Sequence, residues 1–145
     1  MFARSTECAL QASIYLALHS GEGSPVRSEE IARQLELPHA FTRKCLRDLV
    51  EAGILKSRKG RTGGFVLAGP PSEISVLDIV VALQTLRRYE ACLLGQPECP
   101  GEVACPLHDF WMRLIERFEE RLGRTSLRRM AKDLAGAARY RKARA

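Results

Sequence analysis

No run in this sequence approaches the roughly 20 apolar residues that a bilayer-crossing helix needs, so no spanning segment is expected. The first 18 residues carry Arg4, Glu7 and Gln11, which interrupt any secretory apolar region. A reducing cytoplasm is the expected compartment. The chain also lacks a P-loop, a dinucleotide-binding fingerprint and any nucleophile–base motif, so an enzyme is not expected. It has no internal repeat and no long linker. Its five cysteines lack the paired C-x2-C spacing of zinc knuckles and the run typical of ferredoxins. Five is odd, so they cannot all pair. In a reducing compartment, clustered cysteines read as metal-binding or redox-active rather than as disulfides.

What is present is basic. The 145 residues carry 23 Lys and Arg against 17 Asp and Glu, a net charge of +6, with a pI near 9.4. That balance suits a polyanionic partner such as nucleic acid or an anionic membrane surface. A hydrophobic content of 46% is enough for a packed core. The length fits one domain, or one domain with a dimerisation arm.

Apolar spacing predicts a first helix over Thr6–His19, closed by Gly21, Gly23 and Pro25. Ser28 is expected to cap a short second helix, with Glu29 and Glu30 in its first turn. Pro38 is expected to open a third helix running through His39–Ala52, with Gly53 as its terminating glycine. Two short strands, Ile54–Ser57 and Phe65–Ala68, flank a basic, glycine-rich tip. Helix, turn, helix and basic hairpin is the order of a winged helix-turn-helix. Ser75 and Asp78 form a capping-box pattern opening a helix to about Arg88. Pro106 is expected to start a long helix to Leu122, and Thr125 to cap a last one. The basic tail after Arg139 reads as disordered.

Two constellations carry chemistry. The third helix should present Thr42, Arg43, Lys44 and Arg47 to DNA, where an arginine can read guanine bidentately in the major groove. Arg58, Lys59 and Arg61 on the hairpin tip suit phosphate or the minor groove. The second constellation is a loop broken by Gly95, Pro97, Pro100 and Gly101. It holds Cys92, Cys99 and Cys105 as C-x6-C-x5-C, followed by His108 as C-x2-H. Soft ligands on an irregular loop suit an iron–sulfur cluster or zinc, and the spacing leaves the metal open. Cys8 and Cys45 have helical spacing and read as buried thiols. Leu107, Phe110, Trp111, Leu114, Ile115, Phe118 and Leu122 form a broad apolar stripe, read as core and dimer seam.

These residues resemble the Rrf2 family of bacterial winged-helix regulators, which includes IscR, NsrR and RirA types. The likeness covers nearly the whole chain. It rests on Thr6–Leu10, Ile31–Leu35, Leu46–Ile54, the wing Arg58–Ala68, Ile74–Ile79 and Cys105–Trp111. The resemblance implies a homodimer on double-stranded promoter DNA, holding an iron–sulfur cluster of either [2Fe-2S] or [4Fe-4S] type. Cys92, Cys99 and Cys105 match its three thiolate ligands. His108 matches the fourth ligand of IscR-type members. Glu7 matches the carboxylate that NsrR-type members supply from the partner's first helix. The first spacer is six residues, where IscR-type loops have five, so the fourth ligand and cluster type stay open. His39 is a further ligand candidate.

The expected fold is therefore mainly α: a winged helix-turn-helix over residues 1–68, then over 69–145 a linker helix, the cysteine loop, a long dimerisation helix and the basic tail. The expected function is transcription regulation, a repressor under cluster control. The alternative is a cluster-free or zinc-binding repressor whose cysteines are structural or thiol-sensing.

Overall fold

The computed structural model describes residues 2–20, 23–83, 92, 94, 105–137 and 140. Its elements are α1 (Arg4–His19), α2 (Ser28–Leu35), α3 (His39–Glu51), β1 (Leu55–Arg58), β2 (Gly64–Leu67), α4 (Val76–Ala82), α5 (His108–Gly123) and α6 (Leu127–Leu134). Cys99, the expected extension of α4 over 84–88 and most of the tail lie outside the described residues. Among those described, no helix is long and apolar enough to cross a membrane.

The helix-turn-helix forms because α2 and α3 each bury one stripe. Ile31, Ala32 and Leu35 of α2 and Cys45, Leu46 and Leu49 of α3 are buried, and the two helices pack together across a turn at Glu36–Pro38. Glu36 adopts the left-handed conformation at φ 55°, and the Leu37 amide closes the turn on the Ala32 carbonyl at 2.9 Å. The start of α2 corrects the expectation for Ser28. That residue is the first helical one, the cap falls on Arg27, and no side chain caps the helix. Similarly, Pro38 caps α3 rather than opening it. The end of α3 is as expected. Gly53, at φ 77°, donates to Val50, and Ile54 donates back to Leu49, satisfying two terminal carbonyls.

β1 and β2 pair antiparallel from Leu55↔Leu67 to Arg58↔Gly64. Val26 forms a separate antiparallel bridge through reciprocal hydrogen bonds with Phe65, which fixes the wing to the segment entering α2. The capping box at the head of α4 is formed: the Asp78 amide donates to Ser75 Oγ, and the Ser75 amide donates to Asp78. α5 begins at His108, two residues later than expected. Ser126, not Thr125, caps α6, accepting from the Arg129 amide. The Thr125 carbonyl is committed elsewhere, to the Val76 amide at 2.8 Å.

One core joins these elements. Ala9, Ala12, Tyr15 and Leu16 of α1 pack with Leu46 and Leu49 of α3, Ile79 of α4 and Leu127 of α6. A smaller cluster sets Val76 and Val80 against Phe2, Phe118, Leu122 and Met130, and so holds α5.

Candidate nucleic-acid interface and cysteine site

α3 is divided by charge. Cys45, Leu46 and Leu49 are buried, whereas His39, Arg43, Lys44 and Arg47 are exposed. Lys44 lies 3.4 Å from Asp48 one turn on, a solvated pair of small energetic weight. Thr42 departs from expectation. It is fully buried, and its hydroxyl donates to the Pro38 carbonyl at 3.2 Å, so it belongs to the inner face and cannot reach a base edge. His39 ties the two helix starts together: its Nε2 stands 2.9 Å from Ser28 Oγ and 3.5 Å from Glu29 Oε1. Glu29 is held below the usual carboxylate range, first by its own amide at the helix start and then by His39.

The wing carries Arg58, Lys59 and Arg61 exposed around its tip. Its backbone demands glycine at two successive positions. A Cβ at Gly63 would sit 2.2 Å from the Arg58 carbonyl oxygen, and one at Gly64 would sit 2.5 Å from that of Val26. The Arg27 guanidinium donates to the Arg61 carbonyl, joining the wing tip to the head of α2.

The cysteine loop is described at its ends. Cys92 and Cys105 are both partly buried, and the His108 amide donates to the Cys105 carbonyl at 2.9 Å, so these two residues share one turn at the head of α5. Among the described residues, no three of the histidine, cysteine and acidic side chains stand close enough to hold a metal. Glu7 is exposed on α1, where it lines a cavity of about 220 Å³ with Arg4, Cys8, Gln11 and Leu35–Leu37.

A further arrangement was not anticipated from the sequence. Cys8 of α1 and Cys45 of α3 are both buried in the core, close enough that each shifts the other's titration. The interaction with Cys45, then burial, push the Cys8 thiol well up. The same interaction draws Cys45 down. The signal was present in part, since both cysteines sit at buried helical positions. Only the crossing of α1 over α3 brings them together.

Comparison with known proteins agrees with this geometry. The Rrf2 family profile, described as Iron-dependent Transcriptional regulator, matches residues 2–133. An HTH-type transcriptional regulator of Aquifex aeolicus is 33% identical over 122 residues, covering 83% of each chain. Among solved structures, IscR of T. potens superposes with a TM-score of 0.73 at 28% identity, over 92% of this chain and 87% of that one. CymR, the global cysteine regulator of B. subtilis, reaches 0.76 at 23% identity, over 92% and 97%, and shares the fold. Regulators of this family bind DNA and are not enzymes. With the profile running from before α1 into the last turn of α6, over a helix-turn-helix and wing, the chain belongs to the Rrf2 family of transcriptional regulators.

Proposed function

We propose that the chain is a homodimeric repressor of promoter DNA whose affinity follows an iron–sulfur cluster held by Cys92, Cys99 and Cys105. The observation that carries the DNA half is the division of α3, with Arg43, Lys44 and Arg47 outside and Cys45, Leu46 and Leu49 inside. A helix buried on one side and cationic on the other is suited to the major groove, where Arg43 and Arg47 read base edges. Arg58, Lys59 and Arg61 then engage the backbone or the minor groove. Thr42 has no part in this contact.

The dimer rests on α5. Its inner side packs in the chain, but Leu107, Phe110 and Leu114 stay 48%, 60% and 45% exposed. These three lie at helical spacing on one strip, and a second copy of the chain would cover them. Two winged heads related by such an axis call for a roughly palindromic operator.

The donor set suits iron by its chemistry: three thiols on one loop, with the His108 imidazole or the partner's Glu7 carboxylate as fourth ligand. When bound, the cluster supplies a centre sensitive to oxidants and small ligands. The chain's own contribution is mechanical. Cys105 leads into α5 through the His108 turn, so any reordering of the loop shifts the seam helix and the spacing of two α3 helices. Anaerobic purification with iron, sulfide and zinc analysis, followed by DNA binding with and without the cluster, tests the reading. Visible bands that vanish in Cys92→Ala, Cys99→Ala and Cys105→Ala variants are expected. A colourless zinc protein, or colour retained in Cys99→Ala, refutes the cluster. Spectra of His108→Ala and Glu7→Ala should change in one variant only, which names the fourth ligand.

A further inference from the structure

We propose that residues 139–145 are a second phosphate-binding segment, whose cations grip the DNA backbone beside the wing. The proposal rests on the DNA-binding reading and adds to it. The segment holds Arg139, Arg141, Lys142 and Arg144, and no acidic residue follows Asp133. Neutralising those four would take the net charge from +6 to +2. Most of the excess that suits this chain to a polyanion therefore sits in one short stretch.

Tyr140 fixes where that stretch starts. Its side chain is 8% exposed and belongs to the main core, in one cluster with Tyr15 and Leu16 of α1. Its amide donates to the Ala137 carbonyl at 3.0 Å, and its own carbonyl accepts from His19 Nε2. His19 is the last residue of α1. Its ring lies 4.4 Å from that of Tyr15, which in turn donates to Glu30 of α2. The segment is thus moored on the helix-turn-helix unit itself.

The end of α1 leads directly to the wing. A Cβ on Gly23 would stand 3.6 Å from Arg58 Nη2, Val26 bridges Phe65, and the Arg27 guanidinium donates to the Arg61 carbonyl. Gly23 follows His19 by four residues, so at most about 14 Å of chain separates them. The five residues after Tyr140 span up to about 17 Å when extended. Their cations are therefore within range of a backbone on which Arg58 and Arg61 dock. Filling the core accounts for the tyrosine ring. It accounts neither for the run of cations that follows nor for its start beside the wing.

The test compares two variants of the full-length protein that lose equal charge. Arg141→Gln with Lys142→Gln takes two cations from the segment. Arg124→Gln with Arg128→Gln takes two exposed cations from around the head of α6, whose other end leads to Tyr140. Affinity is measured over a series of salt concentrations, for an operator selected from a randomised pool and for an unrelated duplex of equal length. The slope of log affinity against log salt should fall by about 2 in the first variant and by less than about 1 in the second. In the first variant both duplexes should weaken by the same factor, because phosphate contacts do not read sequence. A wild-type slope in the Arg141→Gln, Lys142→Gln protein overturns the proposal. So does an equal loss of slope in both variants, which would make net charge and not position responsible. Wild-type protein that binds neither duplex overturns the DNA reading, and the proposal with it.

Discussion

Gly64 is fixed by a neighbour 38 residues earlier in sequence. The Val26 carbonyl approaches so closely, and the backbone at φ 154° is so unsuited to a side chain, that alanine must push β2 away from the head of α2. We expect Gly64→Ala to cost roughly 2–4 kcal/mol, from overpacking and backbone strain together, read as a lower midpoint in chemical denaturation. The glycines were visible in the sequence as part of the wing, but the carbonyls that require them were not. Thr42 teaches the converse. Its sequence neighbours are cationic and exposed, yet its own angular position points inward, and polarity alone misassigned it to the outer face. Tyr15 gives a residue-scale test by pH. Its hydroxyl donates to Glu30 Oε1 at 3.0 Å, and burial, then that bond and the carboxylate charge, push the phenol from 10 up to about 12. A raised phenol binds its proton more tightly when folded, so the stabilisation is complete below pH 10 and is lost as pH rises through about 12. A shift of this size corresponds to roughly 2–3 kcal/mol. Melting curves at pH 9 and pH 12 should therefore diverge less for Tyr15→Phe than for the wild type. Equal divergence would assign the alkaline loss to other groups.

At the scale of elements, the hydrophobic stripes of α1, α2, α3 and α5 were legible because period 3.6 is written into their apolar residues. Caps were less so. The Ser75–Asp78 box appeared as read, since both partners lie within one turn. The cap of α6 moved from Thr125 to Ser126 because an isolated bridge pairs Ser75 with Ser126, and a contact across 51 residues is invisible locally. The proposed roles of wing and third helix are separable by experiment. Arg43→Ala and Arg47→Ala each remove an exposed side chain from α3, so the fold should survive with unchanged circular dichroism. Operator affinity should fall by roughly 1–3 kcal/mol for each, with discrimination between operator and unrelated duplex reduced. Arg61→Ala should instead weaken operator and unrelated DNA alike and lower the slope of log affinity against log salt by about one. Wild-type affinity in both α3 variants would mean that another element enters the groove.

For the whole molecule, the proposed reading head and dimerisation arm share a single interior. The core passes without a break from Leu46 and Leu49 of α3 through Tyr15 and Leu16 of α1 to Leu127 of α6, so α3 and α6 pack on the same helix. The sequence showed one long apolar stripe on α5 and could not say which residues served the chain itself. In the fold, Ile115 is buried, while Phe118 and Leu122 pack on Val76 and Val80, with the Phe2 and Phe118 rings 5.8 Å apart. Leu107, Phe110 and Leu114 remain outside. The two groups predict opposite outcomes for the same chemical change. Phe118→Asp places an unpaired charge inside the chain's own cluster and should unfold α5 and lower the melting temperature sharply. Leu114→Asp places it on a surface that is open in a lone chain, so helix content should persist. In a dimer, however, the same carboxylate would be trapped against its two-fold copy, without a counter-ion. Sedimentation equilibrium should then report a single chain of 16.2 kDa in place of twice that mass. Operator affinity should fall too, because one winged head reaches only half of a palindrome. A Leu114→Asp protein that stays folded and sediments as a dimer would move the seam to another face.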